Sequence, residues 1–588
     1  MTAVDTVEAM QSAAGPTGRK IDWLRRHGGP LALFVILSGF WAVVSWPKGV
    51  EYCTSDLWIY FGMVLKAEHA DLFTRDLLFG NPANYAEWPL FTAYLRVFYR
   101  LTGDVTFGLK TLTFPLNLLF MVGAYFACLE LNRARWSSAL LASLASLPIS
   151  IPASAEIFGV GPATVLVPRT VFTAVFPWVW YGYVRSMTGS KPWLLDMVFL
   201  AAGLLANIHG ISAFLLVQIL LVLTLFRLGL GLRPLLRCLR LGLFATVGAL
   251  PMILAVLARP ATPGETAPVE ALLKIFQLRN PYLYPQPMLL GHMPAGILHA
   301  ATAVLIVSIP LGVALWERRG TDRIGLWCYG LAILALWYMV YSPSTLFPLT
   351  WVSAAFLLSR GRPLGQPERL TIYLGLAVFL VGVGGVLILK GLYLGFGVPP
   401  FGALHQFRAI RFSGFVVFLL AAMGAAWLGV RWRDLRGPWR ATVLLLSVLT
   451  VGMLAREAYR THVWIRRDAA RDSLVRVASW ARANTSQDAL FLVDSPLFRI
   501  LARRSLVAST KDMGMHFMLR RNVLEANRRV EEQRAAIGSI PALMQLASKY
   551  RADYVIVPRP GSATAITQTV VYQDPSYLVL TCQPDGCT

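Results

Sequence analysis

Charged residues are scarce in this chain: they make up 14% of its 588 residues, against about a quarter in an average soluble domain. Hydrophobic residues make up 56%. They form apolar segments of about 16–22 residues, which suits a hydrocarbon core about 30 Å thick, and short arginine-rich connectors separate these segments. The composition therefore excludes an ordinary soluble domain and predicts a chain that crosses a membrane many times.

Acidic residues are the scarcer charged class, with 31 Asp and Glu against 54 Lys and Arg, which gives a formal net charge of +23. An excess of this size raises the question of a nucleic-acid partner. The basic residues, however, lie singly or in small clusters between apolar runs, which is typical of membrane orientation signals. The predicted partner is therefore the lipid bilayer, and no nucleic acid is predicted.

Cysteine is rare as well, with six residues in the whole chain. None of them has the spacing of a metal site, so no metal is predicted, and a divalent ion is left as an open alternative. Cys582 and Cys587 could close a small loop if the C-terminus meets an oxidising compartment.

The apolar segments predict a mainly α fold: a polytopic membrane helical bundle of about 13 spans. A basic N-terminal tail, residues 1–29, precedes the first span, which lacks a cleavage signal and is predicted to be retained. The predicted spans are 30–46, 107–129, 137–153, 164–184, 193–208, 210–226, 241–258, 296–315, 324–341, 344–358, 371–389, 412–429 and 441–455.

Arginine distribution predicts the orientation of these spans. The short connectors at 154–163, 207–210 and 342–345 contain no Lys or Arg, whereas the connectors that alternate with them are rich in arginine. Basic connectors stay in the cytoplasm, so the N-terminal tail is predicted to be cytoplasmic. Two long loops, 47–106 and 259–295, then lie outside, and an odd number of spans places the C-terminus outside too.

The region 457–588 changes character and predicts a small extracytoplasmic α/β domain after the transmembrane domain 30–456. Helix-like and strand-like stretches alternate at 474–483, 489–493, 540–549, 554–557 and 577–581. Its basic residues are interpreted as a solvated face, with contact to anionic lipid headgroups as the alternative. These residues are Arg499, Arg503, Arg504, Lys511, Arg520 and Arg521.

Asp56 opens an amphipathic stretch just after the first span, on the predicted outer side. A carboxylate there can act as a general base or bind a cation. The alternative is that Asp56 caps a helix, because acidic residues favour the positive end of the helix dipole. Trp58 and Tyr60 follow it and suit an interfacial or sugar-stacking surface. Asp76 lies further along the same loop.

Basic residues and a histidine fall on the same predicted face. Arg169, near the outer end of the fourth span, offers a fork for a phosphate or carboxylate, with snorkelling to the interface as the alternative. His209 lies at the turn between the fifth and sixth spans, where the alternative is a polar cap. Arg279 lies in the loop 259–295.

Arg408 and Arg411 open the twelfth predicted span from the outer side. Because they are three residues apart, they share one face of a helix and together could hold a diphosphate. Five segments thus deliver ionisable groups to one membrane face, which predicts an anionic, lipid-linked substrate.

This arrangement resembles the GT-C superfamily of membrane glycosyltransferases, which includes protein mannosyltransferases and the lipid A aminoarabinose transferase, and it is most similar to bacterial members. The matching motifs are an acidic-x-aromatic element from Asp56, a Leu-Phe-x-x-Asp element ending at Asp76, Pro168-Arg169, His209, and Phe498-Arg499 with Arg504-Ser505 and Lys511 in the C-terminal region. Arg279 is followed by Asn280, Pro281 and then Tyr282, where the similar sequences have histidines.

The resemblance implies a sugar transferase in a bacterial inner membrane. It would move a sugar, with inversion, from a polyprenyl-phosphate donor to a glycan, lipid or protein acceptor on the periplasmic face. Asp56 would be the general base, and Arg169, Arg279, Arg408 and Arg411 would hold the lipid phosphate. Asp76, Tyr60 and His209 are the other predicted substrate-binding residues.

Three alternatives come from other classes. A transporter or flippase for a lipid-linked glycan is disfavoured, because it should carry charges near the bilayer midplane and repeated halves. A polysaccharide polymerase or ligase usually lacks a large C-terminal soluble domain. A catalytically silent protein with the same fold is the third.

Overall fold

The structure is a computed structural model that describes eleven main stretches of the chain and a few isolated positions between them. These stretches are residues 16–46, 49–53, 55–80, 89–146, 167–189, 191–257, 365–385, 412–432, 469–519, 522–559 and 569–582. Within them the protein is mainly helical and has a small sheet near its C-terminus.

Eleven helices precede the C-terminal domain in the described ranges. They are α1 (Pro16–Ser45), α2 (Ser55–Glu68), α3 (Pro89–Thr102), α4 (Phe107–Asn132), α5 (Arg135–Ala145), α6 (Pro168–Thr188), α7 (Pro192–Leu204), α8 (Ala206–Leu228), α9 (Leu232–Leu257), α10 (Gln366–Phe379) and α11 (Ser413–Arg431). A short 3-10 turn at Val50–Tyr52 precedes α2, and a π-helical turn at Leu380–Gly384 extends α10.

Four of these helices are long and apolar enough to cross a membrane, and they are compatible with a membrane protein. They are Asp22–Ser45 within α1, Phe107–Asn132, Ala206–Leu228 and Leu232–Leu257. Helix α1 begins well before the predicted start at residue 30, because the polar residues ahead of the apolar run are helical too.

Helices also overlap parts of other predicted spans, at Pro168–Thr188, Pro192–Leu204, Gln366–Phe379 and Ser413–Arg431. The predicted spans 296–315, 324–341 and 344–358 lie outside the described residues, as does most of 441–455. The total of 13 spans therefore stays a prediction.

Glycine allows α7 and α9 to pack with their backbones in contact. A Cβ atom added to Gly203 would lie 1.9 Å from the carbonyl oxygen of Ala245, and one added to Gly248 would lie 2.3 Å from that of Leu200. The Asn207 side chain donates a 3.0 Å hydrogen bond to the Gly248 carbonyl across the same interface. This packing fixes the end of α7 and the start of α8, where His209 lies.

The loop predicted at 47–106 contains two helices, α2 and α3. The stretch from Ser55 forms α2, whose first turn holds Asp56. The amphipathic character predicted for it is wrong, because every residue from 57 to 66 except Trp58 is buried. Glu68, at the end of α2, pairs with both Arg96 and Arg100 of α3 at 2.7 Å. The two helices therefore form one unit.

The described residues of the C-terminal domain form five strands, and the predicted alternation of helix and strand is confirmed there. The sheet order is β2-β1-β3-β5-β4, with β1 parallel to β2 and β3, and β5 antiparallel to β3 and β4. The strands are β1 (Leu490–Leu492), β2 (Ser505–Leu506), β3 (Tyr554–Pro558), β4 (Val570–Gln573) and β5 (Tyr577–Thr581). The helices are α12 (Ala469–Asn484), α13 (Pro496–Ala502), α14 (Met513–Leu519), α15 (Val523–Ala536) and α16 (Ile540–Tyr550).

Local sequence signals set the ends of the short helices in this domain. Ser495 caps α13 by accepting a hydrogen bond from the Phe498 N–H, and Pro496 takes the first helical position. Ser539 caps α16 in the same way. Both helices end at an arginine in the left-handed conformation, Arg503 and Arg551.

The C-terminal domain packs against the α2 region. Trp58 and Val50 extend the apolar core of the domain that contains Phe491 and Phe498. Ile500 and Met515 of the C-terminal domain also belong to the large apolar core that is formed mainly by helices α1 to α11. The two parts therefore share apolar surface at the place where Asp56 lies.

Candidate functional site

Asp56, Arg169 and Lys511 meet although they come from three distant parts of the chain. The Oδ2 atom of Asp56 lies 3.1 Å from Nη2 of Arg169, and Oδ1 forms an ion pair with Nζ of Lys511. The three side chains are 27%, 17% and 37% exposed, so the cluster is open to solvent or to a ligand. We call these three residues the Asp56 cluster.

The backbone around each member explains its position. Asp56 lies in the first turn of α2, where the helix dipole favours a carboxylate. Arg169 follows Pro168 at the start of α6, and the Thr170 hydroxyl accepts a 2.8 Å hydrogen bond from the Val167 N–H there. The Asp56–Arg169 ion pair thus joins the first turns of two helices.

Lys511 lies in a 3-10 turn, Thr510–Asp512, that is anchored on both sides. The Thr510 N–H donates a 2.7 Å hydrogen bond to Asp494, and the Lys511 N–H donates to the Ser509 hydroxyl at 3.3 Å. The Asp512 carboxylate accepts from Arg499. The backbone that carries Lys511 is therefore held firmly, while the lysine side chain is more than a third exposed.

Asp76 belongs to a second, buried cluster. Its Oδ2 atom accepts a 2.7 Å hydrogen bond from Nε of Arg499 and one of 3.0 Å from the Leu506 N–H. Its Oδ1 atom accepts from the N–H groups of Leu78 and Phe79. The Arg499 side chain also pairs with Asp512. We call Asp76, Arg499 and Asp512 the Arg499 cluster.

Burial controls the protonation of the Arg499 cluster, whose side chains are 1–3% exposed. Loss of solvent raises the pKa of Asp512, against the opposing effect of Arg499. Burial alone would lower the pKa of Arg499, but the charges of Asp512 and Asp76 outweigh it and raise that pKa. His516 is buried beside the cluster and favours the ionised form of Asp512.

This geometry changes two predictions. Asp76 was predicted to bind substrate, but its carboxylate is buried and bonded to protein groups, which favours a structural role. The interpretation of the domain's basic residues as a solvated face is wrong for Arg499 and Arg504, which are 1% and 6% exposed. Arg504 instead donates to the carbonyl oxygens of Arg482 and Thr485 at the end of α12.

Tyr60 and His209 lie in well-defined local surroundings. The Tyr60 ring is 9% exposed and packs edge-on against Phe91, with 5.5 Å between the ring centroids, which favours a role in the core. His209 has a non-helical backbone at the junction of α7 and α8. Its Nδ1 atom accepts a 3.3 Å hydrogen bond from the Ser212 N–H, in agreement with the helix-cap alternative, and lies 2.6 Å from the Ser212 hydroxyl.

Arg279, Arg408 and Arg411 lie outside the described residues, so their placement stays a prediction. Cys587 lies outside them too, and its pairing with Cys582 stays a prediction. Within the part of the chain that the structure describes, no group of three or more His, Cys, Asp or Glu residues could hold a metal ion.

Lys511 is the residue that sequence reasoning did not assign to the site. It was part of the resemblance motif, but its spacing from Asp56 along the chain gave no sign that the two would meet. The pairing of Arg499 with Asp76 was missed for the same reason, since the two residues are 423 positions apart. Asp512 is only 13 residues from Arg499, but that spacing gave no sign that the two side chains would pair.

Comparison with known protein families finds a match within the C-terminal domain. Residues 472–532 match a family described as "Domain of unknown function (DUF6798)". This range covers α13, the turn that holds Lys511, and all of α14. No curated protein matches the chain.

Proposed function

We propose that this protein is a membrane glycosyltransferase that transfers a sugar from a polyprenyl-phosphate donor to an acceptor hydroxyl. The observation that carries the proposal is the Asp56 cluster, in which a partly exposed carboxylate lies between two cations beside a bundle of apolar helices. Such a site can serve a reaction that removes a proton and releases a phosphate.

In the proposed reaction Asp56 accepts the proton of the acceptor hydroxyl. The acceptor oxygen forms a bond to the anomeric carbon, and the bond from that carbon to the phosphate oxygen breaks, with inversion. Arg169 stabilises the negative charge that develops on the leaving phosphate. Arg279, Arg408 and Arg411 are proposed as further phosphate ligands from sequence alone.

The apolar helices suit the lipid part of the donor, because a polyprenyl chain stays in the bilayer while its phosphate lies at the surface. We place the reaction on the periplasmic face of a bacterial inner membrane, crossed about 13 times. The distribution of arginine among the connectors supports the side of the membrane, and the resemblance in sequence supports the bacterial inner membrane.

A donor-turnover assay tests the proposal. The purified full chain would be reconstituted in lipid and incubated with a panel of radiolabelled polyprenyl-phosphate sugars, with a cell-envelope extract as the acceptor source. Wild-type protein should release polyprenyl phosphate from one of these donors. The Asp56→Asn variant should do so about 10²–10⁴ times more slowly, since it lacks the general base.

Asp71→Asn is the matched control. Asp71 follows α2 and accepts a hydrogen bond from Gln487 of the C-terminal domain, but it is not a member of the Asp56 cluster. Its substitution should leave the rate unchanged. Transfer at the wild-type rate by Asp56→Asn would contradict the assignment of Asp56 and would favour an ion pair with a purely structural role.

A further inference from the structure

The two ion pairs that Asp56 forms in the structure oppose its proposed role as a general base. One oxygen pairs with Arg169 and the other with Lys511. Opposite charges at this distance stabilise the ionised carboxylate and so weaken it as a proton acceptor. A base held in this way works poorly until at least one cation leaves it.

The same two cations are the groups that a phosphate would attract. With two positive side chains against one carboxylate, the cluster has a net charge of about +1, which favours an incoming anion. Phosphate oxygens also form strong charge-assisted hydrogen bonds with Arg and Lys. A donor phosphate therefore competes directly with Asp56 for its partners.

Lys511 is better suited than Arg169 to change partners. Its ammonium group is a point charge on a flexible four-carbon stem, and its side chain is 37% exposed, against 17% for Arg169. Its backbone, in contrast, is fixed by the contacts of Thr510 and Asp512. The tip of the lysine can therefore move to a ligand while the turn that carries it stays in place.

Lys66 is a lysine whose side chain, unlike that of Lys511, is fixed by hydrogen bonds to the backbone. It lies in α2, two turns or more from Asp56, and its Nζ atom donates to the carbonyl oxygens of Ala70 and Leu72 at 2.7 Å each. That lysine is buried and closes the end of the helix. Lys511 pairs instead with a partly exposed carboxylate in another part of the chain.

We propose that Lys511 is a substrate ligand supplied by the C-terminal domain, and that the donor phosphate takes Lys511 from its ion pair with Asp56 when the donor binds. This transfer leaves Asp56 open to accept the acceptor's proton. Donor binding would thereby activate the base, and the C-terminal domain would complete the site. The inference rests on the proposed function, because it requires a phosphate-bearing donor.

Binding of a polyprenyl phosphate without sugar tests the exchange, since it needs no turnover. The full chain in neutral-lipid nanodiscs would be titrated with a fluorescent polyprenyl phosphate, and Kd would be read from anisotropy. Lys511→Met should weaken binding about 10-fold through the loss of one charge-assisted contact. Asp56→Asn should tighten binding by about 3-fold or more, because the competing carboxylate is gone.

The double variant gives the sharpest result. In the Asp56→Asn background Lys511 no longer has to leave a carboxylate, so Lys511→Met should weaken binding by a larger factor than it does in wild-type protein. Lys511→Arg should retain most of the affinity because it keeps the positive charge. Lys549→Met is the control, since Lys549 pairs with Glu532 elsewhere on the same domain and should not affect Kd.

Each outcome decides between the two proposals. If wild-type protein binds polyprenyl phosphate and Lys511→Met binds it equally well while its thermal unfolding is unchanged, the exchange is wrong and the proposed function stands. Asp56→Asn binding more weakly than wild type would also overturn the exchange. If wild-type protein does not bind polyprenyl phosphate at all, both the proposed function and the exchange fail.

Discussion

Two charge clusters join the α2 region to the C-terminal domain, and they differ in how far solvent reaches them. In the Arg499 cluster the paired side chains are 1–3% exposed, whereas in the Asp56 cluster they are 17–37% exposed. In each cluster a carboxylate of the α2 region pairs with a cation of the C-terminal domain: Asp76 with Arg499, and Asp56 with Lys511. The Arg499 cluster is buried, as expected of a contact that stabilises the fold. The Asp56 cluster is accessible to a ligand.

The two clusters are also adjacent in sequence, because Lys511 and Asp512 are neighbours in one turn. Asp512 is held by Arg499, which also holds Asp76. The buried cluster therefore determines where the turn lies, and the turn places Lys511 beside Asp56. We infer that Arg499 is a positioning residue for the Asp56 cluster.

Breaking the buried cluster should have the largest effect on stability. Arg499→Met leaves Asp76 and Asp512 buried without their cation, so we expect the free energy of unfolding to fall by about 3–5 kcal/mol. Chemical unfolding of the purified protein in detergent measures it. Arg528→Met is the control: Arg528 pairs with Glu525 on the surface, and the loss of a solvated pair should change the free energy of unfolding far less than Arg499→Met does. Equal losses of stability in the two variants would show that the buried Arg499 cluster contributes no more to stability than a surface ion pair.

An Arg-to-Met substitution in the Asp56 cluster should affect turnover strongly and stability weakly. Arg169→Met is expected to lower the free energy of unfolding by about 1 kcal/mol or less, because its pair with Asp56 is partly solvated. Transfer should slow by about 10²–10³, since a group that stabilises the leaving phosphate is lost. Unfolding and donor turnover, measured on one preparation, give both numbers. A large loss of stability with normal turnover would assign Arg169 to the architecture instead.

The features that could be predicted from sequence are those with a local signal, whereas contacts between residues far apart in the chain could not be predicted. Asp56 and Arg169 were predicted as candidates because each stands out in an apolar neighbourhood, and the structure brings them together. The strands near 490, 555 and 578 were predicted because their apolar runs are local signals. The partners of Arg499 were not predictable, since a basic residue in a polar stretch looks the same whether it is solvated or buried against a distant carboxylate.

The pH dependence of stability should distinguish the buried cluster further. Burial raises the pKa of Asp512 above that of an unfolded Asp, about 3.9, so the folded protein holds this proton more tightly. Stability from this group is therefore present below about pH 4 and is lost as the pH rises through the raised pKa. Charges near Asp512 are those of Arg499, Asp76 and His516.

Comparison with Asp512→Asn isolates that group. The free energy of unfolding of wild-type protein minus that of the variant should decrease as the pH rises above about 4. Unfolding curves at a series of pH values in this range give the difference. An increase with pH would mean that Arg499 dominates and that the pKa of Asp512 is not raised.

A third contact between the same two parts should have the smallest effect. Arg75 pairs with Asp553 at 2.6 Å, and their side chains are 34% and 42% exposed. Arg75→Ala should lower the free energy of unfolding by only about 0–1 kcal/mol, and added salt should reduce that further. If Arg75→Ala lowered the free energy of unfolding as much as Arg499→Met does, solvent exposure would not predict how much each ion pair contributes to stability.

Photolabelling tests most directly whether Asp56, Arg169 and Lys511 form one phosphate site. A polyprenyl phosphate with a photoreactive group next to the phosphate would be bound to the full chain in nanodiscs, irradiated, and mapped by mass spectrometry. We predict labels at the start of α2, at the start of α6 and in the Thr510–Asp512 turn, all lost with excess unlabelled polyprenyl phosphate. Competable labels confined to other parts of the chain would contradict a shared site.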